Sequence, residues 1–305
     1  AVCIASCADR HCSQCPGSSV SITRSTVAGH EAFTVSARKL SVTCVPTRGA
    51  HLTSLHQHGH EWLSVPLEGP RLAPVAAHGS FFPHQEGADD CFPTVGRDMV
   101  RGVRHHDHGE VWHRPWRILE AVNRLWLSID LPVSGLRCER SIAVEGDGLR
   151  LDWRITNPKN HPVPYLWCWH PLFAWRPGDR LELPGVQHVL ERWVRGTVQR
   201  DWPLAWPGAD LSAGLLGDKP FSKSFVRSNG LAIMRSGHAG LEIRWDPLVL
   251  PWAGLWIKHD EGLHQWAIEP TTVNSDWLGK LNVIPPESIL PAHGERSWSI
   301  RLQPR

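Results

Sequence analysis

The chain has 305 residues, of which 41% are hydrophobic and 20% charged, and its 32 basic and 30 acidic side chains leave a formal net charge of +2. That composition supplies a globular core and no charge block, which excludes the electrostatic footprint of a nucleic-acid or anionic-membrane binder and leaves a small neutral molecule as the expected partner. The longest apolar stretch, Leu248 to Ile257, is broken by Pro251 and is too short to cross a bilayer as a helix.

In chain order, residues 1–20 come first and read as a flexible Cys-rich tail. Cys3, Cys7, Cys12 and Cys15 crowd into fifteen positions, with loops shorter than those of zinc fingers or ribbons. The first residue, Ala1, is compatible with a removed targeting segment; without one, a cytoplasmic location is expected. From residue 21 to 305 the pattern continues with no linker-like shift, so a single domain is expected.

His56, His58 and His60 alternate, a spacing that can hold a metal, but Gly59 points instead to an exposed hairpin turn, and no metal is expected. In Gly87–Thr94 the adjacent carboxylates Asp89 and Asp90 read as a loop entering a site, where either could accept hydrogen bonds from hydroxyls; a turn bonded to its own backbone is the alternative. In Asp107–Trp112, His108 stands unshielded beside Gly109, and Trp112 can form a planar wall.

Clear period-two strands follow: Leu149, Leu151, Trp153 and Ile155; Leu241, Ile243 and Trp245; Trp298, Ile300 and Leu302. Turn signals lie between strands, as in Glu145–Gly148, Asn157–Asn160, Arg176–Asp179 and Ser228–Gly230. No segment carries a helical stripe. Many short strands joined by Gly, Pro and Asn turns predict an all-β, large antiparallel β-sandwich. Cys44, Cys91, Cys138 and Cys168 sit singly in apolar runs and read as small hydrophobes. Seventeen Trp against one Tyr supply large apolar area, and Trp faces also suit sugar rings.

Two strand-like runs carry a lone titratable group: Tyr165–Phe173 holds His170, and Gln265–Thr272 holds Glu269. Alternation puts Tyr165, Trp167 and Trp169 on one face and Leu166, Cys168 and His170 on the other. Likewise Trp266 and Ile268 oppose Gln265, Ala267 and Glu269. In both runs the large side chains look toward a core and the reactive group looks away, an arrangement suited to acid–base chemistry, whereas either residue alone reads equally well as a satisfied core group.

His170-Pro-Leu-Phe173, Ala267-Ile-Glu-Pro270, Asp107-His-Gly109 and Leu250–Trp256, in their order and spacing, resemble segments of the aldose 1-epimerase (galactose mutarotase) superfamily over roughly residues 20 to 302. The resemblance implies a large antiparallel β-sandwich and a cofactor-free isomerase that interconverts sugar anomers by ring opening. His170 would be the general acid, Glu269 the general base, and His108 a ligand to sugar hydroxyls. Asp89, Asp90, Trp112 and Trp256 complete the expected substrate contacts. Leu172 and Ala174 stand where the family carries Tyr and Asn around the histidine, and Trp112 where many members carry Arg, which points to a sugar other than galactose. With ordinary pKa values of about 4.3 and 6.5, carboxylate and imidazolium would coexist around pH 5 to 6. Two alternatives share these residues: a non-catalytic carbohydrate-binding domain, and a glycosidase using Glu269 with Asp89 or Asp90.

Overall fold

The computed structural model describes residues 21–72, 81, 86–194, 197–198, 203–205, 221–260 and 263–305. The Cys-rich segment 1–20 lies outside the described residues. Strands dominate the rest. The one helical turn among the described residues is a 3₁₀ turn at Pro286–Ser288, and no helix there is long and apolar enough to cross a membrane.

Two large antiparallel sheets face each other. The first has thirteen strands and runs across Ser21–Val27, His30–Ser36, Ser41–Val45, His51–Gln57, Ala88–Cys91, Cys168–Ala174, Leu263–Thr271, Trp252–Asp260, Phe221–Arg227, His188–Val194 and Thr197–Val198. Two short strands, His60–Glu61 and Pro203–Ala205, pair to its side. The second has eight strands in the order Arg180–Glu182, Leu231–Ser236, Ala239–Trp245, Glu295–Pro304, Gly148–Thr156, Arg137–Glu145, Leu125–Asp130 and Arg117–Ala121. This is the antiparallel sandwich that the alternation predicts.

Burial follows the period of two. Along Gly148–Thr156, Leu149, Leu151, Trp153 and Ile155 are buried, while Arg150, Asp152 and Arg154 look outward. Burying such residues contributes about 1.5–3 kcal/mol each. The Trp residues fill the space between the layers: Trp167 meets Trp153 with centroids 4.9 Å apart and Trp298 with centroids 4.8 Å apart, and these two are cross-strand partners in the second sheet. The hairpin expected at Gly59 is present, with His58 and Gly59 both at positive φ.

One buried ion pair ties the two sheets together. Asp90 accepts from Arg140 Nη1 at 3.0 Å and from the Trp153 indole N–H at 3.0 Å, and Arg140 also donates to the carbonyl of Ala50. Arg140 and Asp90 are both fully enclosed. The expectation for Asp90 as a substrate ligand is corrected here. Ala88–Cys91 is a strand rather than a loop, so the neighbours Asp89 and Asp90 must point to opposite faces, and Asp90 points into the core.

Candidate active site

The outer face of the first sheet assembles the site from three adjacent strands. Asp89 pairs with His170 across one ladder. The register that matches Cys168 with Thr271 and Leu172 with Ala267 sets His170 across from Glu269, and Glu269 in turn pairs with Gly254. Directly paired residues share a face, so Asp89, His170 and Glu269 stand side by side in a row. The cores behind them are the ones expected: Trp167 and Trp169 pack between the sheets, whereas Leu166 and Cys168 join a small cluster with Cys91 on the site side.

His170 Nε2 and Glu269 Oε1 lie 3.6 Å apart. That exceeds a hydrogen bond, and among the described residues both Glu269 Oε1 and His170 Nδ1 are buried without a partner. The other carboxylate oxygen is saturated. Lys223 Nζ donates to Glu269 Oε2, and the Cys168 thiol lies 3.4 Å from the same atom, its one hydrogen divided between that oxygen and the Trp169 carbonyl, also at 3.4 Å. Lys223 also meets Asp276 Oδ1 at 3.5 Å. Its approach depends on Gly254, where an added Cβ would stand 2.9 Å from Glu269 Oε2 and 3.3 Å from Lys223 Nζ.

Above the pair, the imidazole of His108 sits 5.3 Å from that of His170, and Trp256 lies 6.5 Å from His170 on another side. His108 and Trp256 are partly exposed, whereas the side chains of His170 and Glu269 beneath them are 7% and 1% exposed. His108 is held by Asp107 at 3.1 Å and stacked under Phe81 at 3.9 Å between centroids. Gly109 lets this loop press against Phe92, whose carbonyl oxygen would lie 2.1 Å from an added Cβ. Trp112, expected as a planar wall for substrate, is buried, donates to the Asp107 carbonyl and meets Phe81 edge to face, while the ring stacked on His108 is Phe81. Asp89 faces the site but binds His51 at 2.9 Å.

Lys223, Asp276, Phe81, Gly254 and His51 escape the sequence reading. Lys223 alone left a signal, a single charge at the same parity as two aromatics in Phe221–Phe225. Among the described residues no three His, Cys, Asp or Glu side chains form a metal-holding group.

Charge states follow from burial and from Lys223. Burial lowers His170 to about 4; Glu269 partly opposes this, while His108 and Lys223 reinforce it. The coexistence of imidazolium and carboxylate around pH 5 to 6 is thereby corrected, because desolvation disfavours the charged ring. For Glu269 burial acts upward, yet the charges of Lys223 and His170 and the hydrogen bonds to Oε2 outweigh it and hold the carboxyl below its ordinary value. Asp276 is raised by burial and by repulsion from Glu269, despite Lys223. Lys223 is raised in spite of its burial, because Asp276 and Glu269 both hold its proton.

The depressed His170 has a consequence for folding. The unfolded chain binds that proton near pH 6.5 and the folded one near 4, so the neutral ring's contribution is intact above pH 6.5 and is lost as pH falls through this window. The loss amounts to on the order of 3 kcal/mol. Denaturant unfolding at pH 7, 5.5 and 4 should show wild type losing that much more stability than His170→Asn; parallel losses would show that the ring titrates normally.

Comparison with solved structures places this architecture. A galactose mutarotase-like protein from Clostridium acetobutylicum superposes with a TM-score of 0.72 at 12% identity, covering 94% of this chain and 98% of that one. The fold is that of the galactose mutarotase-like proteins. A galactose mutarotase related enzyme from Lactobacillus acidophilus shares the mutarotase-like fold with a TM-score of 0.69 at 13% identity, covering 90% and 97% of the two chains. A protein from Synechocystis sp. PCC 6803 does so at 0.68 and 17%, covering 100% and 99%. No protein-family model matches the chain, and no curated protein matches its sequence.

Proposed function

We propose that this mutarotase-like chain is an aldose 1-epimerase, interconverting the α and β anomers of a free sugar. The observation that carries the reading is the buried, unpartnered Oε1 of Glu269 facing His170 Nε2 across 3.6 Å. The anomeric hydroxyl and the ring oxygen hang from the same carbon, so the base serving one and the acid serving the other must be close neighbours on one face. Glu269 Oε1 takes the proton of the anomeric hydroxyl as its oxygen becomes a carbonyl. The bond from C1 to the ring oxygen breaks, and that oxygen takes a proton from His170. Rotation about C1–C2 and the reverse transfers close the other anomer. In this reading His108 and Asp89 meet ring hydroxyls, and Trp256 meets the C–H face of the sugar. The row holds an imidazole next to a carboxylate, and Asp90 is locked to Arg140, so the two-carboxylate glycosidase loses one of its candidates.

The active form carries a proton on His170 and none on Glu269. With His170 lowered to about 4, that form is scarce in the free protein at neutral pH. NMR anomer exchange across a panel of aldoses should therefore show acceleration for at least one sugar, with kcat/KM climbing about tenfold per unit as pH falls from 7 to 5. Binding without acceleration of any aldose would instead leave a carbohydrate-binding domain.

A further inference from the structure

Lys223 lies 46 residues from Glu269 in sequence and meets it on the site face without touching His170's side of the carboxylate. Its strand pairs with Trp252–Asp260, which pairs with Leu263–Thr271, so an intervening strand separates Lys223 from Glu269. An ordinary side chain at the intervening position would fill the path. Position 254 is glycine, and the ammonium crosses above its backbone to reach Oε2. The same ammonium is held from behind by Asp276, at 3.5 Å. A lysine with both side-chain neighbours acidic, and itself only 2% exposed, has no solvent to compensate its charge.

Resting on the reading of Glu269 as the base, we infer that Lys223 is the positioning residue of this site: with the Cys168 thiol it occupies Oε2 and so presents Oε1 as the one oxygen that accepts the substrate's proton. Three features of the site fit that role. The two oxygens of Glu269 are unequal, one bound by the Lys223 ammonium with the Cys168 sulfur 3.4 Å away and one, among the described residues, with no donor. The donors approach from the side away from His170, fixing the carboxylate plane and leaving its free edge toward the imidazole. Asp276 balances the second half of the charge, so that Lys223 holds Glu269 without leaving the buried cluster cationic. The groups facing Glu269 from the packed elements are Lys223, Cys168, His170 and Asp276, and among them the Lys223 charge acts most strongly to hold the carboxyl low.

The test reads Glu269 directly as well as through turnover. In protein labelled with carboxyl ¹³C glutamate, the Glu269 signal is assigned by its absence in Glu269→Gln and titrated in wild type, Lys223→Met, Lys223→Arg and Gly254→Ala. Losing an opposite charge at this range should raise the Glu269 midpoint by about one pH unit or more in Lys223→Met. Lys223→Arg should keep it near the wild-type value. Gly254→Ala retains both charges but inserts a methyl between them, and should move the midpoint upward by a smaller amount. The acid limb of kcat/KM should move by the same amounts, with kcat reduced and KM little changed. Should Lys223→Met fail to fold, Gly254→Ala carries the comparison. An unmoved Glu269 midpoint in folded Lys223→Met or Gly254→Ala overturns the inference. A moved midpoint in a protein that accelerates no aldose supports the Lys223–Glu269 coupling while overturning the epimerase reading, so the two failures are distinguishable.

Discussion

Glu269→Gln and His170→Asn should each lower the rate constant for anomer exchange by about 10²–10⁴-fold while the protein stays folded and KM changes little. Gln preserves the shape of the side chain and its amide can still sit near Lys223, but it cannot take a proton from the anomeric hydroxyl. Asn at 170 likewise keeps a polar group on the strand and removes the titratable ring. Because acid and base serve one transfer sequence, the double variant should be little worse than the weaker single one, as groups acting as a unit are non-additive. Stopped-flow polarimetry on freshly dissolved sugar would check this. Full activity in either single variant would remove that residue from the chemistry.

A second large effect is expected far from the substrate. Asp90→Ala should cost about 3–5 kcal/mol of stability, because it strands Arg140 in the core with its charge uncompensated. Among the described residues Arg140 then keeps the Ala50 carbonyl and the Cys44 sulfur as hydrogen-bond partners, with its guanidinium 5.7 Å from the Trp116 ring centroid. Replacing both members at once, as in Asp90→Leu with Arg140→Met, removes the stranded charge and should recover most of the loss. Denaturant unfolding would measure both. Anomer exchange by the folded fraction should survive, which separates Asp90 from its neighbour Asp89. If Asp90→Ala unfolds like wild type, the inter-sheet pair contributes little.

The alternation in Leu149–Ile155, Leu241–Trp245 and Trp298–Leu302 was enough to read the sandwich, because each strand buries one face and the period of two is strict. The same period placed His170 and Glu269 on the side away from the large aromatics, and their strands do lie next to each other. At Asp89 and Asp90 the turn-forming composition of Gly87–Thr94 hides the strand, whose alternation sends one carboxylate to each face. Other features could not be read locally. Lys223 reaches Glu269 over a glycine on an intervening strand, so its role depends on sheet order. The low affinity of His170 for a proton depends on burial, which residue type does not encode. The stacking of Phe81 on His108 joins two segments 27 residues apart, which no local pattern announces.

Ring opening by an acid–base pair is decided by the fate of the anomeric oxygen. An aldose carrying ¹⁸O at C1 should be followed by ¹³C NMR, where the isotope shift reports the label while the anomer signals report exchange. Ring opening moves only protons and the bond from C1 to the ring oxygen, so the expected result is accelerated anomer exchange with the label retained, abolished in Glu269→Gln. Loss of label to water at the rate of anomer exchange would show displacement at C1, and exchange no faster than in buffer for every aldose would show no catalysis; either would contradict it.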